Sequence, residues 1–425
     1  MRRTERPAVH HGDARIPTRA RIAVVGILFF LLIVSIVPWR SQTFYDGGLD
    51  AVVVAKAALA ALTLALTVLL WMRTRVHMPI GLGPAFVLGV ALLVTVLGAL
   101  VAGNSSATIV LVVRVFIVMA TILLLLSCVP WMVGLSCLLT AMSALAVVAA
   151  VTGVRTLAST GRLGGGVPEI HPNELAGLCA PPIIALIVFT LRRGLHTWSV
   201  LVLVVLLGIT VATGSRIALV GILVGAVLAV LTSGVRDRSV VYAVLVALPV
   251  AYAIGAFTGI IGNLASRGGS NSADIALDSR LDGWSVVLGW DWGSWERWIG
   301  LGLSVKTIDV NLKWRATQVL DSSWISVLAQ VGIIGTLLLV ALVAWCVASA
   351  IVSSNRRGIL LPLVGLIITR SVTESGLLDS AMPFVLLVTV ATLLTHRSRH
   401  AAEMLAGRRD LPSTSEVRPA AVGLG

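Results

Sequence analysis

Ile80–Ala102, IGLGPAFVLGVALLVTVLGALVA, runs for 23 residues without one charged side chain. As a helix rising 1.5 Å per residue it would reach about 35 Å, enough for the ~30 Å hydrocarbon core of a bilayer. Backbone polar groups find no water in that core, so the stretch has to be helical and satisfy its own hydrogen bonds. Outward from it, similar runs recur at 22–39, 50–72, 107–127, 129–153, 174–191, 198–213, 217–233, 240–260, 324–352, 359–373 and 381–395, making twelve candidate spans in all. Only 12% of the 425 residues are charged, about half the share of a soluble domain. The expected fold is an all-α polytopic membrane protein of about 12 transmembrane helices, with one long extracytoplasmic loop, 261–323, that contains short helices.

Charge orders these spans. The net charge of +13 in a soluble chain would suggest nucleic acid, but here it reads as topology, because Lys and Arg gather in cytoplasmic loops. With residues 1–21 inside, the inner segments hold 19 of the 32 Lys and Arg and the outer segments hold 10. Six of those ten sit in the long loop, where the rule is weak. Lys56, Arg114 and Arg370 lie inside spans. Residues 1–21 and 396–425 then form basic cytoplasmic tails flanking spans one to nine (22–260) and ten to twelve (324–395). The first apolar run is too long for a signal-peptide core and lacks a small-residue cleavage site, so it reads as an uncleaved span. No internal repeat of fixed period is visible. Cys128, Cys137, Cys179 and Cys346 all lie in apolar runs without CxxC spacing, which points to inert buried thiols, with neither a metal site nor a disulfide framework.

Polar residues at the outer ends of the spans are the candidates for chemistry, since ionisable groups at membrane depth are costly. Arg216, in Thr213–Gly214–Ser215–Arg216, joins two spans almost without a loop. It is either a headgroup anchor or, through its planar fork of donors, a diphosphate ligand. Arg280, between Asp278 and Asp282, reads as a solvated loop residue or a second such ligand. Asp321, ahead of Ser322–Ser323–Trp324, suits a helix cap and also a general base. Arg162 opens onto Gly164–Gly165–Gly166, a stretch that reads as flexible and is not a Walker loop. His171 is the only outer histidine, structural or a second candidate base, and Asn173 reads as a helix cap. Arg370 and Glu374 are one turn apart and suited to pairing. Seven of the twelve tryptophans fall between Trp284 and Trp324, as an interfacial belt or as a surface for stacking sugars.

Ser215–Arg216, the long loop with Arg280 and Trp284, Asp321–Ser322–Ser323–Trp324, Gly332–Ile333–Ile334–Gly335 and the upstream His171–Pro172–Asn173–Glu174–Leu175–Ala176 together resemble the O-antigen ligase and polymerase superfamily, best over the C-terminal half. The resemblance implies a glycosyltransferase of the multi-spanning C type in a bacterial cytoplasmic membrane, with both termini cytoplasmic. Such an enzyme takes a glycan from a polyprenyl-diphosphate donor and passes it to a lipid, glycan or protein hydroxyl on the outer face, without metal or other cofactor. Arg216 and Arg280 would hold the diphosphate, with Arg162, Arg370, Trp284 and Trp324 as further substrate-binding residues. Asp321 or His171 would take the acceptor's proton. The family's ligases carry a His where Asp321 stands. Twelve spans also suit a lipid-linked glycan transporter or flippase, and an envelope scaffold is a third reading.

Overall fold

The computed structural model describes residues 19–39, 51–233, 281, 283–312, 315–353 and 356–409. The expected span at 240–260 and Arg280 lie outside the described residues. The described residues are mainly helical: α1 (Arg19–Ile36), α2 (Ala51–Arg73), α3 (Gly83–Ala102), α4 (Ser105–Cys128), α5 (Trp131–Thr152), the short α6 (Val154–Thr160), α7 (Pro172–Arg193), α8 (Thr197–Thr213), α9 (Arg216–Thr232), the five-residue α10 (Trp295–Ile299), α11 (Ser323–Val352), α12 (Arg357–Ser371) and α13 (Met382–Arg409). Seven of them (α1 to α5, α7 and α11) are long and apolar enough to cross a membrane, and Thr197–Thr213, Arg216–Thr232 and Met382–Thr395 are shorter apolar helices. This is an all-α membrane protein, as the uncharged runs lead one to expect.

α7 is the most buried of the long apolar helices. It packs against α5, α8, α9 and α12, and residues 175–184 are all buried. Its two internal prolines, Pro181 and Pro182, lack N–H groups, a defect that neighbouring helices tolerate inside a bundle. Contacts between the connecting segments sort them into two ends. At one end the Asn104 amide donates to Leu301 O, Arg162 to Thr213 O and Ser323 to Glu374 O. At the other, Met78 N donates to Ser127 O, Arg356 to Leu393 O, and Gly358 lies against Arg192. The outer segments 103–106, 154–173, 214–216 and 374–380, with the described part of 261–323, meet at the first end, referred to below as the loop end.

Two features of that end are absent from the sequence reading. The long loop contains an antiparallel hairpin, β1 (Thr307–Leu312) and β2 (Arg315–Val319), with Ile308 facing Gln318. Its inward side chains Ile308 and Val310 form a small core with Val287, Leu320 and Ala329. The loop therefore folds onto the start of α11, and a helical turn over 283–288 precedes it. α11 itself is broken. Gly332 has φ 66 and ψ −170, a backbone region open to glycine almost alone. The carbonyls freed at the break are taken up by other elements: Ala329 O accepts from Leu301 N at 2.8 Å, and Gln330 O accepts from Gly302 N at 3.1 Å and Thr95 Oγ1 at 3.0 Å. Irregular backbone at a membrane end survives when protein supplies the missing partners.

Candidate functional site

Pro172 occupies the first turn of α7, so the cap falls on His171, whose Nδ1 accepts from Asn173 N at 3.3 Å. Asn173 is not the cap expected of it. Its side chain is left free to bridge, and the Arg162 guanidinium donates to Asn173 Oδ1 at 2.8 Å while Asn173 Nδ2 donates to Glu374 Oε1 at 2.9 Å. Arg162 Nε also donates to Thr213 O at 2.8 Å. That bond ties the loop after α6 to the turn that leads into Arg216.

The glycine triplet beside Arg162 is pinned rather than flexible. Leu163 N donates to Ala212 O, Gly164 N to Thr156 Oγ1, Gly165 N to Ile170 O and Gly166 N to Ala149 O, all within 2.7–3.0 Å. A Cβ on Gly166 would fall 2.2 Å from Thr152 O. The glycines serve close backbone approach, and through it they fix where Arg162 stands.

Arg370 completes the group from the end of α12. It is only 5% exposed, and its Nη2 donates to Asn173 O at 3.5 Å, while its Nε is buried without a partner among the described residues. Its head fills the notch left by Gly177 on α7, where a Cβ would lie 2.0 Å from Nη1. A cavity floored by Pro181, Met382 and Pro383 borders it. Asn173 thus stands between the two residues expected to pair, taking Arg370 on its carbonyl and Glu374 on its amide. The Glu374 carbonyl accepts from Ser323 N at 3.1 Å and Ser323 Oγ at 2.6 Å, which docks the first turn of α11. Ser322 is the N-cap of α11, so Asp321 lies one residue outside the helix, half-buried, two positions from the Ser323–Glu374 joint.

The remaining candidates divide. Arg216 is the first residue of α9 and is exposed at the loop end. Trp324 is half-buried, with its indole N–H on Ser371 Oγ at 3.0 Å. Trp284 is half-buried, and its indole nitrogen is buried with no partner among the described residues. Trp292 and Trp298 meet edge to face, with the Arg297 guanidinium over Trp292. The structure therefore joins Arg162, Arg370 and the Arg216 turn through Asn173, and sets Asp321 beside the same joint through Ser323 and Glu374. Sequence reasoning did not give Asn173 and Ser323 these bridging roles. The signal for Asn173 was present, since proline favours the first helical position and so moves the cap to the residue before it.

The constellation can do two things chemically. Its guanidinium groups attract an anion in a partly desolvated place, where fixed charges act most strongly. Its carboxylates, Asp321 and Glu374, offer a proton acceptor. The Gly177 notch is open to a direct test. Gly177→Ala pushes the Arg370 head out of place while raising local helix propensity by about 1 kcal/mol. The expected result is a melting temperature near that of the parent protein together with a loss of function equal to that of Arg370→Gln. Undiminished function would show that Arg370's position is immaterial.

Among the described residues no group of three or more His, Cys, Asp or Glu is arranged to hold a metal ion. Neither a protein-family model nor a curated protein matches this chain.

Proposed function

We propose that this protein is a polytopic glycosyltransferase of twelve spans, with both termini cytoplasmic and the loop end facing outward. In this reading it transfers a glycan from a polyprenyl diphosphate to a hydroxyl of a lipid, glycan or protein acceptor. The observation that carries it is the basic group at the loop end: Arg162 and Arg370 gathered on Asn173, Arg216 at the adjoining helix start, and Asp321 beside the same joint. A lipid diphosphate is an anion delivered at that depth, and its departure needs cations more than any other help.

In the reaction, the acceptor oxygen attacks the anomeric carbon, forming the new C–O bond. The bond from that carbon to the diphosphate oxygen breaks, and its electron pair leaves with the diphosphate. Arg216 and Arg280, supported by Arg162 and Arg370, balance the charge growing there. Asp321 takes the acceptor's proton, and attack opposite the leaving group inverts the anomeric configuration. His171 suits the role of base less well, because its Nδ1 lone pair already accepts from Asn173 N. Trp284 and Trp324 offer ring surface to the sugars.

The test is formation of a new glycosidic bond by purified protein supplied with a polyprenyl-diphosphate-linked glycan, followed by mass spectrometry. Arg216→Ala, Arg280→Ala and Asp321→Ala should each unfold at the parent temperature and lose most turnover. Full turnover in all three would overturn the site. Donor crossing the bilayer with no transfer would replace the enzyme by a transporter.

A further inference from the structure

A groove opens between α1 and α5 at the end opposite the loop end. The two helices pack together, and the Cys137 thiol donates to Ile22 O at 3.7 Å, which sets their first turns at one level. Trp131, the first residue of α5, lies under the Arg356 guanidinium, 4.7 Å from its ring centroid, and marks the membrane interface at that end. The groove holds about 620 Å³, and its lining runs from Ile22 to Phe30 on α1 and from Met132 to Ala144 on α5. Sites that bury a small ligand hold about 300–1,000 Å³. Ile27 and Met132, both in the lining, are exposed, so the groove opens on the side that faces lipid.

Length identifies the occupant. At 1.5 Å per residue the lining covers about 12 Å of α1 and about 18 Å of α5, which matches the ~15 Å depth of one leaflet's hydrocarbon. A helix of a second copy would cross the full ~30 Å, and the groove stops short of that. Residues 1–18, which precede α1, carry six charged residues and two histidines, too polar a segment for an apolar groove. A lipid chain fits both the length and the chemistry. Two further features select the lipid. Ser136 and Thr140, one turn apart in the lining, make no hydrogen bond among the described residues, whereas Ser143 on the same helix donates to Leu139 O at 2.9 Å. A hydroxyl in hydrocarbon is costly without an acceptor, and the ester carbonyls below a phospholipid headgroup are acceptors at that depth. Arg19, the exposed first residue of α1, falls by helical spacing on the face of Ile22, Ala23 and Gly26, one turn nearer the interface. A guanidinium there meets a phosphate.

We propose that this groove binds one chain of an anionic phospholipid from the leaflet at that end, with the ester oxygens on Ser136 and Thr140 and the phosphate on Arg19. The site does not depend on the glycosyl-transfer reading, because it lies at the opposite end from Asn173 and is assayed by binding alone.

The full chain, exchanged into lipid-free detergent, is titrated with phosphatidylglycerol in one arm and phosphatidylcholine in the other, and native mass spectrometry counts the bound lipid. The expected result is one phosphatidylglycerol retained at concentrations where phosphatidylcholine is not. Gly26→Leu fills the groove, and because a Cβ there meets nothing within 4 Å it should fold as the parent does while weakening the binding about tenfold or more. Arg19→Gln should weaken phosphatidylglycerol about tenfold, toward the phosphatidylcholine level, in line with the loss of a charge-assisted bond. Gly208→Leu, exposed on α8 and equally unobstructed, should leave the binding unchanged. Lipid absent from the parent protein, or bound equally by the parent and Gly26→Leu, overturns the site. Equal affinity for the two lipids overturns the anionic headgroup, and a dimer that Gly26→Leu dissociates gives the groove to a second copy and overturns the lipid.

Discussion

Gly332→Ala yields a chain that does not reach the native fold at normal yield, or melts far below the parent. Two costs act together. At φ 66 and ψ −170 an L side chain is strained by about 1–3 kcal/mol. The new methyl would also lie 2.2 Å from Trp298 C and 2.3 Å from Trp298 O, an overpacking worth about 1–3 kcal/mol more. Neither neighbour can yield cheaply, because both are backbone atoms of a segment locked to α11 and α3. A Cβ on Gly300 would strike Gln330, and one on Gly98 would strike Gly300 O at 2.3 Å. The control is Gly26→Ala, whose Cβ would meet nothing within 4 Å, and which should unfold at or above the parent temperature. Thermal unfolding in detergent, with the yield of monodisperse protein, reads both. A Gly332→Ala protein as stable as Gly26→Ala would mean that α11 runs unbroken.

Asn173→Ala should lower stability and turnover together while leaving the helices in place. It removes the acceptor for Arg162 and the donor to Glu374 in one step, and hydrogen bonds to charged groups contribute about 1.5–3 kcal/mol each. Because the two share one amide, a total of about 2–4 kcal/mol is expected rather than the full sum. On the proposed transfer reaction the effect should be larger, about 100-fold in turnover, since an ångström's displacement of a positioning group can cost that much. Asn173→Asp separates the two bonds. It keeps an acceptor for Arg162 but sets a second carboxylate against Glu374, so it should retain Arg162's position while loosening the Ser323–Glu374 joint. Turnover and melting temperature measured for both variants distinguish the roles. Equal, parent-like turnover in both would remove Asn173 from the site.

The helices were legible because their signal is local: a run such as Ile80–Ala102 admits no other structure in hydrocarbon. Among the described connections, the spacing of Lys and Arg groups the same segments that the structure brings together. The hairpin has a weak local signal: Thr307–Ile308–Asp309–Val310 alternates with period two, but four alternating residues in a long loop do not specify a strand pair. The break in α11 was not legible, because Gly332 lies in an apolar run that reads as one continuous span. Only the approach of Trp298, 34 positions earlier, demands it. The site was half legible. Arg162 and Arg370 were chosen as polar residues at span ends, but what holds them, the Gly177 notch and the close packing of Gly166 on Thr152, arises from residues far apart in sequence.

The break in α11 also bears on Asp321. Residues 323–331 form a short rod clamped at both ends. Ser323 fixes one end to Glu374, and Thr95, Leu301 and Gly302 fix the other through the carbonyls of Ala329 and Gln330. Asp321 stands two residues ahead of that rod, so its place is set partly from α3, more than 200 residues upstream. Small changes at Thr95 or Gly98, which touch none of the charged groups, should therefore mistune the carboxylate as surely as a change beside it.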